Sequence, residues 1–189
     1  MANKTNNFIR LTKEAIRTKI LYMLKVHKEE DRFVKSGKIA QKLFRTRVFK
    51  QAKTVMFYKA IKGEVDTEPM IKAALKLGKI VVVPVCFPDH ELLPCVLHQD
   101  AQLVRGPYGI WEPADKKPVR ARDVDLVVVP GVGFTKKGKR LGRGKGYYDR
   151  FLKKLPSRTP TIGLAFDFQI LPDLPTTCFD VNVKKVIFA

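Results

Sequence analysis

Apolar positions along the chain follow two rhythms, one helical and one extended. After Thr12, which is placed to cap a helix, Ile16, Ile20, Met23 and Leu24 recur at helical spacing. A second, basic helix is expected over roughly 29–47, burying Phe33, Ile39, Leu43 and Phe44. TVMFY (54–58) is a short β-rich run and reads as a strand, followed by IKGEVDTEP as a loop. Thr67 then caps a helix through Leu77, with Pro69 in its first turn and Gly78 ending it. KIVVVPVCF (79–87) and DLVVVP (125–130) lack polar alternation, the pattern of strands covered on both faces. Further strands are expected near 94–98 and at TIGLAF (161–166) and KKVIF (184–188). The segment 106–118 is turn-rich, GVGFTKKGKRLGRGKG reads as a long loop, and a helix runs from near Tyr147 to just before Pro156.

Helices alternating with such strands predict an α/β fold: one domain over 1–189, with three layers and a largely parallel central sheet carrying helices on both faces. No repeat, linker or low-complexity stretch divides it. Apolar residues at 45%, with twelve Phe, exclude a disordered chain. The longest apolar run, Ile80 to Pro88, is nine residues interrupted by Pro84, so no membrane span or membrane partner is expected. MANKTNNFIR lacks the apolar core of a secretory leader and is poor in Arg for a transit peptide. Cys86, Cys95 and Cys178 stand at wide spacings that give neither a disulfide framework nor a zinc motif, so a reducing, cytoplasmic setting follows. Cys86 reads as a small core residue, and neither Cys95 nor Cys178 suggests a nucleophile. His27, His90 and His98 are isolated and suit surface or loop roles. A monomer is expected.

Charge changes this picture. The net charge is +19, and residues 1–50 carry 14 basic against 4 acidic side chains while 136–154 carry nine against one. The rest of the chain is almost neutral. Two basic segments on a neutral body suggest attraction for an anion, although a solvated lysine-rich surface fits the scattered first segment equally well. In the second segment the charges are interleaved with glycines.

That second segment, KRLGRGKGYYDRFL (139–152), follows a buried strand and opens a helix, where α/β folds place phosphate-binding loops. Gly142, Gly144 and Gly146 let backbone N–H groups approach an anion closely, and Arg140, Arg143 and Lys145 add full charges. It is not a Walker A loop, since Gly146 follows Lys145 and Lys139 stands where glycine is required. Nor is G-x-G-x-G the dinucleotide fingerprint. The pattern favours phosphate binding over an ordinary flexible connection. In the helix, Tyr148, Phe151, Leu152 and Leu155 form the core face, leaving Tyr147 to meet a ligand. Asp149 reads either as a first-turn acid stabilising the helix dipole, which spacing favours, or as a magnesium ligand.

RLGRGKGYYDRFL after VVVPGVGF resembles the signature of the 5-formyltetrahydrofolate cyclo-ligases, also called 5,10-methenyltetrahydrofolate synthetases. Four more pieces appear in order: the K-x-x-x-R pair Lys13 and Arg17, Y-x-x-x-x-G-E-V-D-T from Tyr58 to Thr67, G-I-x-E-P from Gly109 to Pro113, and G-L-A-F-x-x-Q from Gly163 to Gln169. The resemblance spans nearly the whole chain. It implies ATP- and Mg2+-dependent closure of 5-formyltetrahydrofolate to 5,10-methenyltetrahydrofolate, by phosphorylation of the formyl oxygen, attack by nitrogen-10 and loss of phosphate. It implies that Lys13 and Arg17 bind ATP phosphates, and that Arg140, Leu141, Gly142, Arg143, Gly144, Lys145, Gly146, Tyr147 and Tyr148 form the ATP loop. Arg143, Lys145 and Tyr147 would also touch the folate or the phosphorylated intermediate, as catalytic residues. Lys59 and Ile61 would line the folate pocket, Glu64 would hydrogen-bond the pterin, and Asp149 and Asp180 would hold magnesium. Without the resemblance Glu64 reads as a solvated loop acid, and Trp111 reads either as facing the substrate or as packing, with packing favoured. A polyglutamylated folate, itself anionic, would give the basic surface a use. Two rival readings are a relative that uses the same loop on another substrate and a nucleic-acid-binding protein; against the latter, the aromatics look buried and no binding motif is present.

Overall fold

A computed structural model of the chain describes residues 2–87, 91–106 and 108–189, so His90 lies outside the described residues. The elements run α1 (Ala2–Val26), α2 (Glu29–Arg45), α3 (Arg47–Gln51), β1 (Thr54–Met56), α4 (Glu68–Lys76), β2 (Ile80–Cys86), β3 (Leu92–Val96), β4 (Leu103–Arg105), β5 (Trp111–Pro113), β6 (Leu126–Val129), β7 (Gly133–Thr135), β8 (Arg140–Leu141), α5 (Tyr147–Lys154), β9 (Thr161–Ala165), β10 (Ile170–Leu171) and β11 (Lys185–Phe188).

Successive residues of the apolar runs point to opposite faces of one sheet, which is why those runs show no polar alternation. Val55, Val81, Val83, Leu126, Val128, Ile162 and Leu164 pack with residues of α1–α4, such as Ile20, Leu43, Phe49 and Met70. Met56, Val82, Val127 and Val129 pack on the other face with Phe151 and Leu152 of α5. The result is the expected three-layer α/β architecture. The six strands lie in the order β11-β9-β6-β1-β2-β3, and all neighbours are parallel except β2 and β3.

That order positions the site. From β1 the chain crosses through α4 to β2 on one side, then returns to lay β6, β9 and β11 on the other. Strand order therefore reverses at β1 and β6, and the crevice beyond their carboxyl ends is where open α/β sheets bind ligands.

Several local expectations are corrected. Thr12 does not cap: α1 begins ten residues earlier, and Thr12 Oγ1 donates to Phe8 O at 2.9 Å as a mid-helix residue. Phe33 is 72% exposed, because the buried stripe of α2 runs through Ser36, Ile39 and Leu43. The basic helix expected through 47 breaks at Thr46, whose hydroxyl accepts Phe49 N–H and caps α3. Thr67 sits at the start of α4 but donates its hydroxyl to Tyr58 O, and Asp66 Oδ1 accepts Glu68 N–H instead. The long loop after β6 contains two short strands, β7 and β8, paired antiparallel, and β10 pairs with β7. β4 and β5 form a separate two-stranded ribbon within and before the turn-rich segment.

Phe134 of β7 is fully buried and occupies space that two glycines leave open: a Cβ on Gly163 or on Gly131 would lie 2.5 Å from its ring. The ring has no room to retreat. Gly163→Ala is expected to destabilise the fold by about 1–3 kcal/mol through overpacking, measured by urea denaturation; an unchanged midpoint would contradict this packing.

Candidate functional site

The glycine loop is tied at both ends. Arg140, in β8, is 5% exposed and places Nη2 2.8 Å from Asp149 Oδ1 in the first turn of α5. The same carboxyl oxygen accepts Val181 N–H at 3.1 Å, and Arg140 Nη1 donates to Pro130 O at 3.3 Å. The ion pair thus clasps the strand before the loop to the helix after it. Arg17, reaching from α1, donates Nε to Gly142 O at 2.8 Å. Gly144 and Gly146 take φ of +105° and +68°, conformations that favour glycine. Gly146 occupies the position that opens α5, so the loop's backbone and the helix N-terminus meet at one place.

The loop walls a cleft of about 350 Å³ at the sheet's carboxyl edge. The exit of β1 supplies Tyr58, Lys59, Ile61 and Glu64, the exit of β6 supplies Pro130 and Gly131, and the loop and α5 supply Arg140, Gly142, Arg143 and Lys145 through Asp149. Arg143 donates through Nε and Nη2 to Glu64 Oε1 at 3.2 and 3.0 Å, and Ile61 N–H donates to Glu64 Oε2. Burial raises the Glu64 carboxyl above its ordinary value, and Arg143 offsets only part of that. Lys59 pairs with Glu68 on its other side.

Two tyrosines close one wall. The Tyr147 and Tyr108 hydroxyls share a hydrogen bond of 2.6 Å, which, with the other groups around it, moves the Tyr147 phenol up to about 12. Lys145 Nζ stands 4.3 Å above the Tyr108 ring. Tyr148, whose ring packs into the core as expected, also borders the cleft, and burial pushes its phenol far up. Cys86 lines the cleft and its thiol is raised by burial to about 11, which makes it a poor nucleophile.

The site residues read from the sequence fall into two groups. Arg17, Lys59, Ile61, Glu64, Arg140, Gly142, Arg143, Lys145, Gly146, Tyr147, Tyr148 and Asp149 meet at the cleft or at the loop that walls it, and Gly144 faces the Arg17 guanidinium. Lys13 and Asp180 instead meet each other: Lys13 Nζ lies 2.5 Å from Asp180 Oδ2, which also accepts the Thr177 N–H and hydroxyl. Burial opposes ionisation of Asp180, but the bonds from Lys13 and Thr177 outweigh it and hold the carboxyl below its usual range. Leu141 turns its side chain into the core, and its carbonyl accepts Val132 N–H. Trp111 is not packed inside: it is 44% exposed, beneath the Arg105 guanidinium, in an adjoining groove of about 590 Å³. Sequence reasoning gave no role to Tyr108 or Glu112, both lining the cleft. Glu112 stands inside the G-I-x-E-P pattern, which was the available signal.

A crevice at the reversal point of a parallel sheet, walled by a basic glycine loop that opens a helix, is the build of an α/β anion-binding site. The profile of the 5-formyltetrahydrofolate cyclo-ligase family matches residues 10–189. The chain is 30% identical to the mouse 5-formyltetrahydrofolate cyclo-ligase over 188 residues, covering 93% of each. Among solved structures it is similar to the 5,10-methenyltetrahydrofolate synthetase of Aquifex aeolicus, with a TM-score of 0.83, 37% identity and coverage of 93% of this chain and 89% of that one. It is similar also to the corresponding synthetase of Mycoplasma pneumoniae, with a TM-score of 0.75, 28% identity and coverage of 93% and 97%. The chain therefore belongs to the 5-formyltetrahydrofolate cyclo-ligase family, a family of ligases.

The geometry around Asp149 makes its structural role separable from metal binding. Asp149→Ala leaves Arg140 buried without its partner, and is expected to lower stability by about 3–5 kcal/mol. Urea denaturation in the presence of a chelator checks this; stability equal to wild type would leave Asp149 no structural role.

Proposed function

We propose that this chain catalyses the ATP- and Mg2+-dependent closure of 5-formyltetrahydrofolate to 5,10-methenyltetrahydrofolate, releasing ADP and phosphate. The observation that carries this reading is convergence: motif residues spread from Arg17 to Asp149 along the sequence meet around one cleft and its loop. The mouse relative of near-equal length is itself named a 5-formyltetrahydrofolate cyclo-ligase.

When bound, ATP supplies the phosphoryl group that turns a formamide oxygen, a poor leaving group, into a good one. The chain's task is then to position and to neutralise charge. Backbone N–H groups at Gly142, Gly144 and Gly146 suit phosphate oxygens, since no Cβ stands in the way. Arg143 and Lys145 supply positive charge beside them, and the Arg17 and Arg140 anchors hold the loop in place before any ligand arrives. Lys59, Ile61 and Glu64 seat the folate. Arg143 spans the two halves, belonging to the loop while bonded to Glu64. The Tyr147 phenol, moved up to about 12 chiefly by its bond with Tyr108, stays protonated and takes no part as a base.

The acidic residues fit magnesium in a limited way. Asp149 and Asp180 already hold Arg140 and Lys13, and no group of three or more His, Cys, Asp or Glu that could hold a metal occurs among the described residues. Magnesium would be held by Asp149 at the cleft and by Asp180, whose neighbour Val181 donates its N–H to Asp149, and would supply neutralisation of phosphate charge. The same reading has the chain act as a monomer in the cytoplasm, on folates that include polyglutamylated forms. Its cysteines are unpaired, and among the described residues no helix is long and apolar enough to cross a membrane.

The test mixes the purified chain with 5-formyltetrahydrofolate, Mg2+ and ATP and follows the near-ultraviolet absorbance of the methenyl product. The rise is expected to require ATP and to slow by about 100-fold or more in Lys145→Ala, as for loss of one preorganised charge-stabilising group. A folded protein that gives no rise would overturn the reading.

A further inference from the structure

Four buried side-chain polar atoms make no hydrogen bond among the described residues: His27 Nδ1, Glu112 Oε2, Arg140 Nε and Tyr148 Oη. His27 lies apart, edge-on to Phe166 and Phe168. The other three belong to residues that line the one cleft. Buried polar groups are nearly always satisfied, so three such atoms around a single cavity describe a surface shaped for a polar ligand.

Glu112 is the informative member. It is 3% exposed, yet it borders the cleft. Oε1 accepts Cys86 N–H at 3.2 Å, and Lys116 Nζ stands 3.3 Å from Oε2, within ion-pair range but without hydrogen-bond geometry. A Cβ on Gly106 would fall 2.4 Å from the carboxyl carbon, so the carboxylate rests against bare backbone and is fixed in place. Each carboxylate oxygen accepts two hydrogen bonds, which leaves this one with unused capacity at both oxygens. Glu64, the other acid of the cleft, is already occupied by Arg143 and by Ile61 N–H.

A rigid, buried carboxylate with unused capacity suits a flat ligand edge that presents two neighbouring N–H donors. The geometry points to Glu112 as the residue that reads the 2-amino-4-oxopyrimidine edge of a reduced folate, accepting from the exocyclic amino group and the adjacent ring N–H. This rests on the folate reading above and assigns within it the specificity for the pterin. Lys116, at the surface end, balances the charge. Glu112 takes no part in phosphoryl transfer, so its loss weakens folate binding and leaves ATP binding intact.

The experiment measures binding by calorimetry for the wild type, Glu112→Gln and Lys116→Met, using 5-formyltetrahydrofolate and its analogue with the 2-amino group replaced by methyl. The wild type is expected to bind the parent folate about 10- to 100-fold more tightly than the analogue, as for a lost bond to a charged group. Glu112→Gln is expected to bind the parent weaker by a similar factor and to discriminate far less between the two. Lys116→Met, which leaves the Glu112 carboxylate in place, is expected to weaken binding of the parent less than Glu112→Gln does and to keep the discrimination between the two folates. The assignment is overturned if Glu112→Gln binds the parent as tightly as the wild type, if it keeps full discrimination, or if Lys116→Met loses as much. Should Glu112→Gln fail to fold, equal affinity of the wild type for the two folates would still overturn it. A wild type that binds no 5-formyltetrahydrofolate would sink the folate reading itself, and this assignment with it.

Discussion

Arg140 and Asp149 bracket the glycine loop, and their 2.8 Å ion pair is largely withdrawn from water. Desolvating two charges is costly, and the interaction is sustained only because further bonds help to satisfy both ends: Pro130 O for the guanidinium and Val181 N–H for the carboxylate. The clasp sets the distance between β8 and α5, and so the curvature of residues 142–146 between them. Arg17 then draws the loop's first carbonyl toward α1. A loop anchored at both ends and from α1 has little freedom left to rearrange.

The same constraint accounts for the crowd of cations nearby. Each charged side chain at the loop has an internal partner: Arg143 has Glu64, Lys145 has the face of Tyr108, and Arg17 has a carbonyl. These partners hold like charges apart without neutralising the site. Arg17 and Lys145 keep their charge beside neutral partners, so the loop stays a locally positive part of a chain whose net charge is +19.

The fold was legible where periodicity is long enough to measure. The unbroken apolar runs of β2 and β6 announced strands covered on both faces, and the spacing of Tyr148, Phe151 and Leu152 announced one face of α5. Two- and three-residue strands such as β7, β8 and β10 carry no period, so a segment that is partly paired read as a loop. Thr12 misled because a hydroxyl before an apolar stripe looks the same whether the helix starts there or earlier. At the site, glycine spacing and the ordered family motifs brought out Arg17, Glu64, Arg143 and Lys145. Tyr108 and Glu112 lie in a turn-rich stretch, and their roles depend on Tyr147 and Cys86, which are distant in sequence and adjacent only in space. Lys13 and Asp180 show the same limit: 167 positions apart in sequence, they meet as an ion pair that no spacing announces.

The most direct measurement follows one atom. 5-Formyltetrahydrofolate labelled with heavy oxygen in its formyl group would be turned over with unlabelled ATP in unlabelled water, and the released phosphate analysed by mass spectrometry. Phosphorylation of the formyl oxygen within this cleft places one heavy oxygen in each phosphate released with a methenyl product. Phosphate without the label, formed alongside the methenyl product, would mean that the formyl oxygen leaves by another route and that the loop serves a different transfer.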